Sequence, residues 1–285
     1  MEGKKITVKH YLNQRAKPRE YRKDLFYPLY IQIIVDAKKA QIKSRINEHL
    51  EIYQSEIDNM TRKNKELDQL ILEGYFTEKQ IENVYRNETF PLYQLLSDEI
   101  DVLKRIIILQ KPFENKNFTL QNFSYEYEKH VTEITNILDM HIKEKYRKRL
   151  SEIFLDTVDK KEEKRTFNIT NFFIHYINWN NTFSNYYEVT YETIPSELKY
   201  IENYLEASLL DSIKAFMAYH SKVNLVKRHM EKKEHGKIST LSYLDWITEI
   251  KEILRKEFLK IFGKKKADVY VESLDRILDI EIHNR

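Results

Sequence analysis

Residues 4–46, KKITVKHYLNQRAKPREYRKDLFYPLYIQIIVDAKKAQIKSRI, alternate apolar and polar side chains as no later part of the chain does. Ile6, Val8, His10 and Leu12 alternate with Lys5, Thr7, Lys9 and Tyr11, the period of two of a strand with one buried face. Leu29, Ile31, Ile33 and Val35 alternate with Tyr30 and Gln32. Ala40, Ile42, Ser44 and Ile46 alternate with Lys39, Gln41, Lys43 and Arg45. Three strands are predicted. The second opens at Pro28, where a strand can start without losing a ladder bond, and a short Asp36-Ala37-Lys38 connection makes the second and third a hairpin.

If the apolar positions share one face, Lys5, Lys9, Tyr11, Tyr30, Gln32, Lys39, Gln41, Lys43 and Arg45 share the other. Charge is concentrated in the same stretch. Residues 1–45 hold 12 Lys and Arg against 4 Asp and Glu, a net +8, whereas the other 240 residues hold 36 against 41, a net −5. The whole-chain value of +3 conceals this division. A β-ribbon fits the major groove of DNA, where Lys and Arg meet phosphates and guanine edges and Gln can read adenine. The nine residues of the polar face are therefore the candidate DNA-binding set, with double-stranded DNA as the expected partner. The competing reading is a solvated face whose lysines discourage edge-to-edge aggregation.

The run YPLYIQIIVDAKKAQIKSRI, preceded by KKITVKHYLN, resembles the N-terminal arm-type DNA-binding domain of tyrosine recombinases carried by Bacteroidetes mobile elements. The resemblance covers about 45 of the 285 residues. It implies a three-stranded sheet that contacts DNA through its exposed face. The catalytic signature of such recombinases is absent. They use a tyrosine nucleophile with arginines and a His-x-x-Arg pair to stabilise charge on the phosphate. None of the nine histidines here begins His-x-x-Arg, and Tyr270 lies in a helical pattern without those companions.

Four Gly and five Pro in 285 residues favour long helices over a turn-rich β fold. The absence of cysteine excludes disulfides and thiolate chemistry and fits a reducing cytoplasm. The first residues hold no apolar run of signal-peptide type, and no window approaches about 18 uninterrupted apolar residues. A cytoplasmic protein without a membrane partner is expected.

Beyond the sheet the period becomes helical. One helix is predicted over 47–72, ended by Gly74, and a short one follows the Thr77/Gln80 capping box. Another begins at Pro91 and stops before Pro112. A long helix or a broken pair should cover 119–154, with the basic residues Lys143, Lys145, Arg147, Lys148 and Arg149 on a solvated face. The charged run 156–165 reads as a linker, and the aromatic run 168–191 as core. Helices are predicted after Ser196, after Ser242 with Asp245 closing its cap, and from about Lys266 to Ile282, with Gly263 between the last two.

The expected architecture is α+β. A three-stranded antiparallel sheet domain at 1–46 precedes a helical body at 47–285, with candidate divisions near 112–118 or 156–166. Four isolated glycines build no phosphate loop, and His141 with Glu144 reads as a surface pair, so no catalytic residue, metal site or cofactor is assigned. The reading leans against an enzyme. It favours a non-catalytic DNA-binding or accessory protein of a mobile element or phage, whose helical body dimerises or binds another protein. The alternative is a helical interaction or phage structural protein that does not bind DNA.

Overall fold

The computed structural model describes residues 5–159, 205–233 and 241–283. The fold is α+β, and the chain divides into two compact units. The first runs from the N-terminus through His130, together with 231–239; the second holds 131–230 and 240–285. The sheet thus shares its unit with the helices as far as His130. The predicted aromatic core at 168–191 and the start of the helix after Ser196 lie outside the described residues.

The sheet has five strands where three are predicted: β1 Ile6–Leu12, β2 Arg19–Tyr21, β3 Asp24–Val35, β4 Lys38–Lys43 and β5 Tyr75–Phe76. β3 is the long central strand, and each of the others pairs with it antiparallel. The stretch 13–27 between the first two predicted strands contains the additional β2 and the start of β3. Pro28 sits inside β3 rather than at its start, opposite Tyr75 of the short β5. The hairpin turn is Asp36-Ala37 alone, because Lys38 already pairs with Val35. Asp36 takes φ 51°, a left-handed conformation that Asp tolerates better than most residues. β4 ends at Lys43, and Ile46 starts a 3₁₀ turn, Ile46–Glu48, followed by another at Leu50–Tyr53.

The apolar alternation is realised as burial. Val8, Leu29, Ile31, Ile33, Val35 and Ile42 are all buried, each worth about 1.5–3 kcal/mol relative to an exposed side chain. Beneath them lies α4 (Pro91–Leu109), which packs on β1. Its Leu92, Leu95, Leu96, Leu103, Ile106 and Ile107 are buried, and Pro91 takes the first helical position as predicted.

The helix expected over 47–72 is two helices, α1 Gln54–Thr61 and α2 Lys65–Leu72. Arg62 and Lys63 between them are both left-handed, and the Asn64 side chain accepts the N–H groups of Glu66 and Leu67 to start α2. The buried Thr61 hydroxyl donates to Asp68 Oδ1 at 2.5 Å and fixes the corner. Gly74 (φ 82°) ends this segment, its carbonyl accepting from Leu29 N–H at 3.0 Å. α3 (Glu78–Tyr85) carries the predicted capping box at Thr77 and Gln80.

Of the two forms expected over 119–154, the broken pair is found: α5 Phe123–Val131 and α6 Ile134–Asp159. The second unit also contains α7 (Ala207–Lys233) as far as Met230. A helix in three pieces follows: an α turn Tyr243–Asp245, a π turn Trp246–Ile250 and α8 Lys251–Phe262. The Ser242/Asp245 cap is present, and Gly263 (φ 75°) separates α8 from α9 Lys264–His283. Buried Trp246 donates its indole N–H to Asp275 Oδ1 at 2.8 Å, and Lys251 reaches the other oxygen of the same carboxylate. The π turn therefore directs a polar handle from a buried ring to a charged neighbour. Tyr270 is buried against Phe258 and Phe262, a core position.

Glu99 of α4 joins the helices to the sheet. Its carboxylate is buried and accepts four hydrogen bonds: from His10 Nε2 (2.8 Å), the Ser44 hydroxyl (2.6 Å), Arg45 N–H (2.7 Å) and the Tyr127 hydroxyl (2.8 Å). Burial alone would raise its pKa. The hydrogen bond and charge of His10, with the bonds from Ser44 and Arg45, outweigh burial and hold it below the usual carboxylate value. A folded pKa below the unfolded one contributes stability that is present above the unfolded carboxylate value, near 4.3, and is lost as pH falls through the folded one. Replacing Glu99 with Ala should cost about 3–5 kcal/mol of unfolding free energy by leaving several buried donors unmet. Replacing Tyr127 with Phe should cost roughly 1–2 kcal/mol. Urea unfolding at pH 7 measures both, and the Glu99→Ala chain should lose less stability than the wild type as pH falls below about 5, since Glu99's share of the acid-side loss is gone.

Candidate nucleic-acid interface

The strand register decides which side chains stand together, because residues directly opposite in antiparallel strands share a face. Three rows cross the sheet from β1 through β3 to β4: Thr7, Ile34 and Lys39; Lys9, Gln32 and Gln41; Tyr11, Tyr30 and Lys43. Seven of the nine predicted residues thus lie on one face, opposite the buried one. Ile34 stands among them as a half-buried apolar residue that the sequence reading did not include.

Lys9, Lys39, Gln41 and Lys43 are exposed, whereas Tyr11, Tyr30 and Gln32 are half-buried. Among the described residues, Lys9, Lys39 and Lys43 make no ion pair closer than 4 Å. The Tyr11 and Tyr30 rings lie with centroids 6.2 Å apart and planes tilted by 56°. Burial, then the neighbouring Tyr30, pushes the Tyr11 phenol up, so it remains a neutral O–H donor at physiological pH. Its hydroxyl has no hydrogen-bond partner among the described residues.

Two predicted residues stand apart. Lys5 is exposed but precedes β1, so the strand register does not place it. Arg45 lies beyond the end of β4 and is committed within the protein. Its guanidinium forms two bonds to the Glu48 carboxylate (2.7 and 2.9 Å) and sits 5.8 Å from the Tyr127 ring centre. The Glu48 hydrogen bond, outweighing burial, raises its pKa. The alternation that places Arg45 on the polar face breaks where the strand turns into the 3₁₀ segment.

Arg15 is an addition to the predicted set. It is exposed, and its charge acts on the Tyr11 phenol at the end of the face. An Asn13 side chain accepting the Arg15 N–H at 3.2 Å turns the chain there. No period in the sequence marks that turn. Two neighbouring arginines are occupied: Arg19 pairs with Glu73 and lies 4.5 Å over Tyr75, and Arg22 lies 5.3 Å from the Tyr21 ring.

Elsewhere, Lys143 pairs with Asp139 and Arg149 with Glu152, as on a solvated helix face. His141 bonds Glu281 of α9 at 2.6 Å rather than the predicted Glu144. No group of acidic and histidine side chains among the described residues is arranged to hold a metal ion, and no described helix is long and apolar enough to cross a membrane. No family model matches the chain, and neither a curated protein nor a solved structure shows significant similarity to it.

Because Arg45 is held by Glu48 and Tyr127, Arg45→Ala should lower stability by about 0.2–1 kcal/mol. The same change should leave the salt dependence of any nucleic-acid binding unaltered. Thermal unfolding and a salt titration of duplex affinity read the two effects separately.

Proposed function

We propose that the chain is a non-catalytic DNA-binding protein that lays the polar face of β1, β3 and β4 into the major groove of duplex DNA. The observation that supports this reading is the register, which gathers three exposed lysines, two amides and two tyrosines on one side of a sheet buried on the other. Strands about 4.8 Å apart put the two outer strands about 10 Å from each other, a width compatible with a groove of about 12 Å. Each lysine supplies a phosphate contact, and Arg15 extends the positive edge.

The middle row gives the face its capacity to discriminate. Gln32 and Gln41 are neighbours, and a Gln amide can donate and accept at once on an adenine edge. Ile34 beside them offers an apolar contact for a thymine methyl group. Such a face serves an accessory protein of a mobile element or phage, the setting implied by the resemblance to arm-type domains. The chemistry of strand exchange would then belong to another protein.

The test is duplex binding across a salt series with random and element-derived DNA. The chain carrying Lys9→Ala, Lys39→Ala and Lys43→Ala should lose most of its affinity. Its slope of log affinity against log salt should fall by about 2–3, since each phosphate contact contributes about 0.9. All three side chains are exposed, so thermal unfolding should change little. An unaltered slope overturns the assignment.

A further inference from the structure

The outer edge of β4 presents main-chain groups that the polar face leaves unused. Ser44 N–H donates to Leu29 carbonyl at 3.1 Å, which makes 44 and 29 a hydrogen-bonded pair. In an antiparallel ladder every second residue shares that status, so Ile42, Ala40 and Lys38 turn their main-chain groups inward to β3. Lys39, Gln41 and Lys43 turn theirs outward. Among the described residues no strand pairs with that side. Beside it runs a groove of about 560 Å³, with residues 38–42 on one wall and Thr119, Leu120, Gln121 and Ser124 on the other. The lining includes no carboxylate. Lys38 is engaged by the Phe118 carbonyl and ring, which leaves Lys39 as the cation of that wall, with Lys43 beyond it.

We infer that this edge accepts an acidic peptide segment in extended form, added antiparallel to β4 as a further strand. The edge presents N–H donors and C=O acceptors in alternation, which another peptide backbone satisfies completely. A nucleic-acid backbone has phosphate acceptors for the N–H groups and leaves the carbonyls unmet. A second copy of β4 is disfavoured because antiparallel pairing about Gln41 would set Lys39 against Lys43 in both directions. The same lysines that keep two copies apart attract carboxylates placed opposite them. Residues of the incoming strand opposite Lys39 and Lys43 share their face, so acidic side chains at alternate positions meet both.

Peptide addition at this edge does not depend on DNA binding. The full-length chain is titrated, by fluorescence anisotropy, with a short end-capped peptide alternating Glu and Val and with two N-methylated copies of it. Methylation at the Glu nitrogens removes the donors that would face β4, and methylation at the Val nitrogens alters only those facing away. The unmodified and Val-methylated peptides should bind, and the Glu-methylated peptide should bind about tenfold or more weakly. Ser124→Trp, at an exposed position that fills the groove, should weaken the peptide while retaining the wild-type response to duplex DNA. Equal binding of the two methylated peptides overturns the inference, because charge alone then suffices. Absence of binding, an equal response to a Lys and Val peptide, or self-association that excludes the peptide in sedimentation also overturns it. Should wild-type protein fail to bind duplex DNA, the peptide titrations retain their meaning.

Discussion

A single buried carboxylate carries much of the first unit's geometry. Glu99 draws its four donors from β1, from the two residues after β4 and from α5, so one side chain ties together elements far apart in sequence. A charge in that position is tolerable only while every oxygen lone pair has a partner. The His10 ring is itself held from its other side, with Nδ1 2.8 Å from the Tyr85 hydroxyl. Burial, with the charge on Glu99 next, pushes the Tyr85 and Tyr127 phenols well above their usual range, which keeps both neutral. The arrangement is selective for one placement of α4 beneath the sheet, since any other would strand the charge.

That constraint explains what could be read from the residues alone and what could not. The period of two located β1, the second half of β3 and most of β4, and with them the face shared by Lys9, Tyr11, Tyr30, Gln32, Lys39, Gln41 and Lys43. Alternation is a local property, and burial on one side enforces it. His10 followed the alternation as an honorary apolar residue, yet its position beneath the sheet is polar and paired. The pairing partner, 89 residues away, leaves no mark in the local pattern. Arg45 failed for the related reason that the main chain bends at Ser44 and Arg45 to deliver donors to Glu99, and the strand ends there.

The short strands were illegible for a different cause. β5 has two residues and forms because Gly74 returns the chain to β3, so tertiary proximity and not propensity creates it. Arg62 and Lys63 split a continuous helical period although neither residue favours the left-handed region. The Thr61 to Asp68 bond and the Asn64 cap fix the corner between the two helices. By contrast, the capping boxes at Thr77 and Ser242 and the proline opening α4 were legible because helix ends announce themselves within one turn.

The lysine-bearing layer is inseparable from what lies below it. Its underside is hydrocarbon, its first strand leans a histidine on a helix carboxylate, and the bend after its last strand is pinned by the same group. Excising the first 46 residues as a portable reader would carry the cations away but abandon the floor they stand on. Any transplantation of this recognition surface to another scaffold has to bring the stretch through α5 with it.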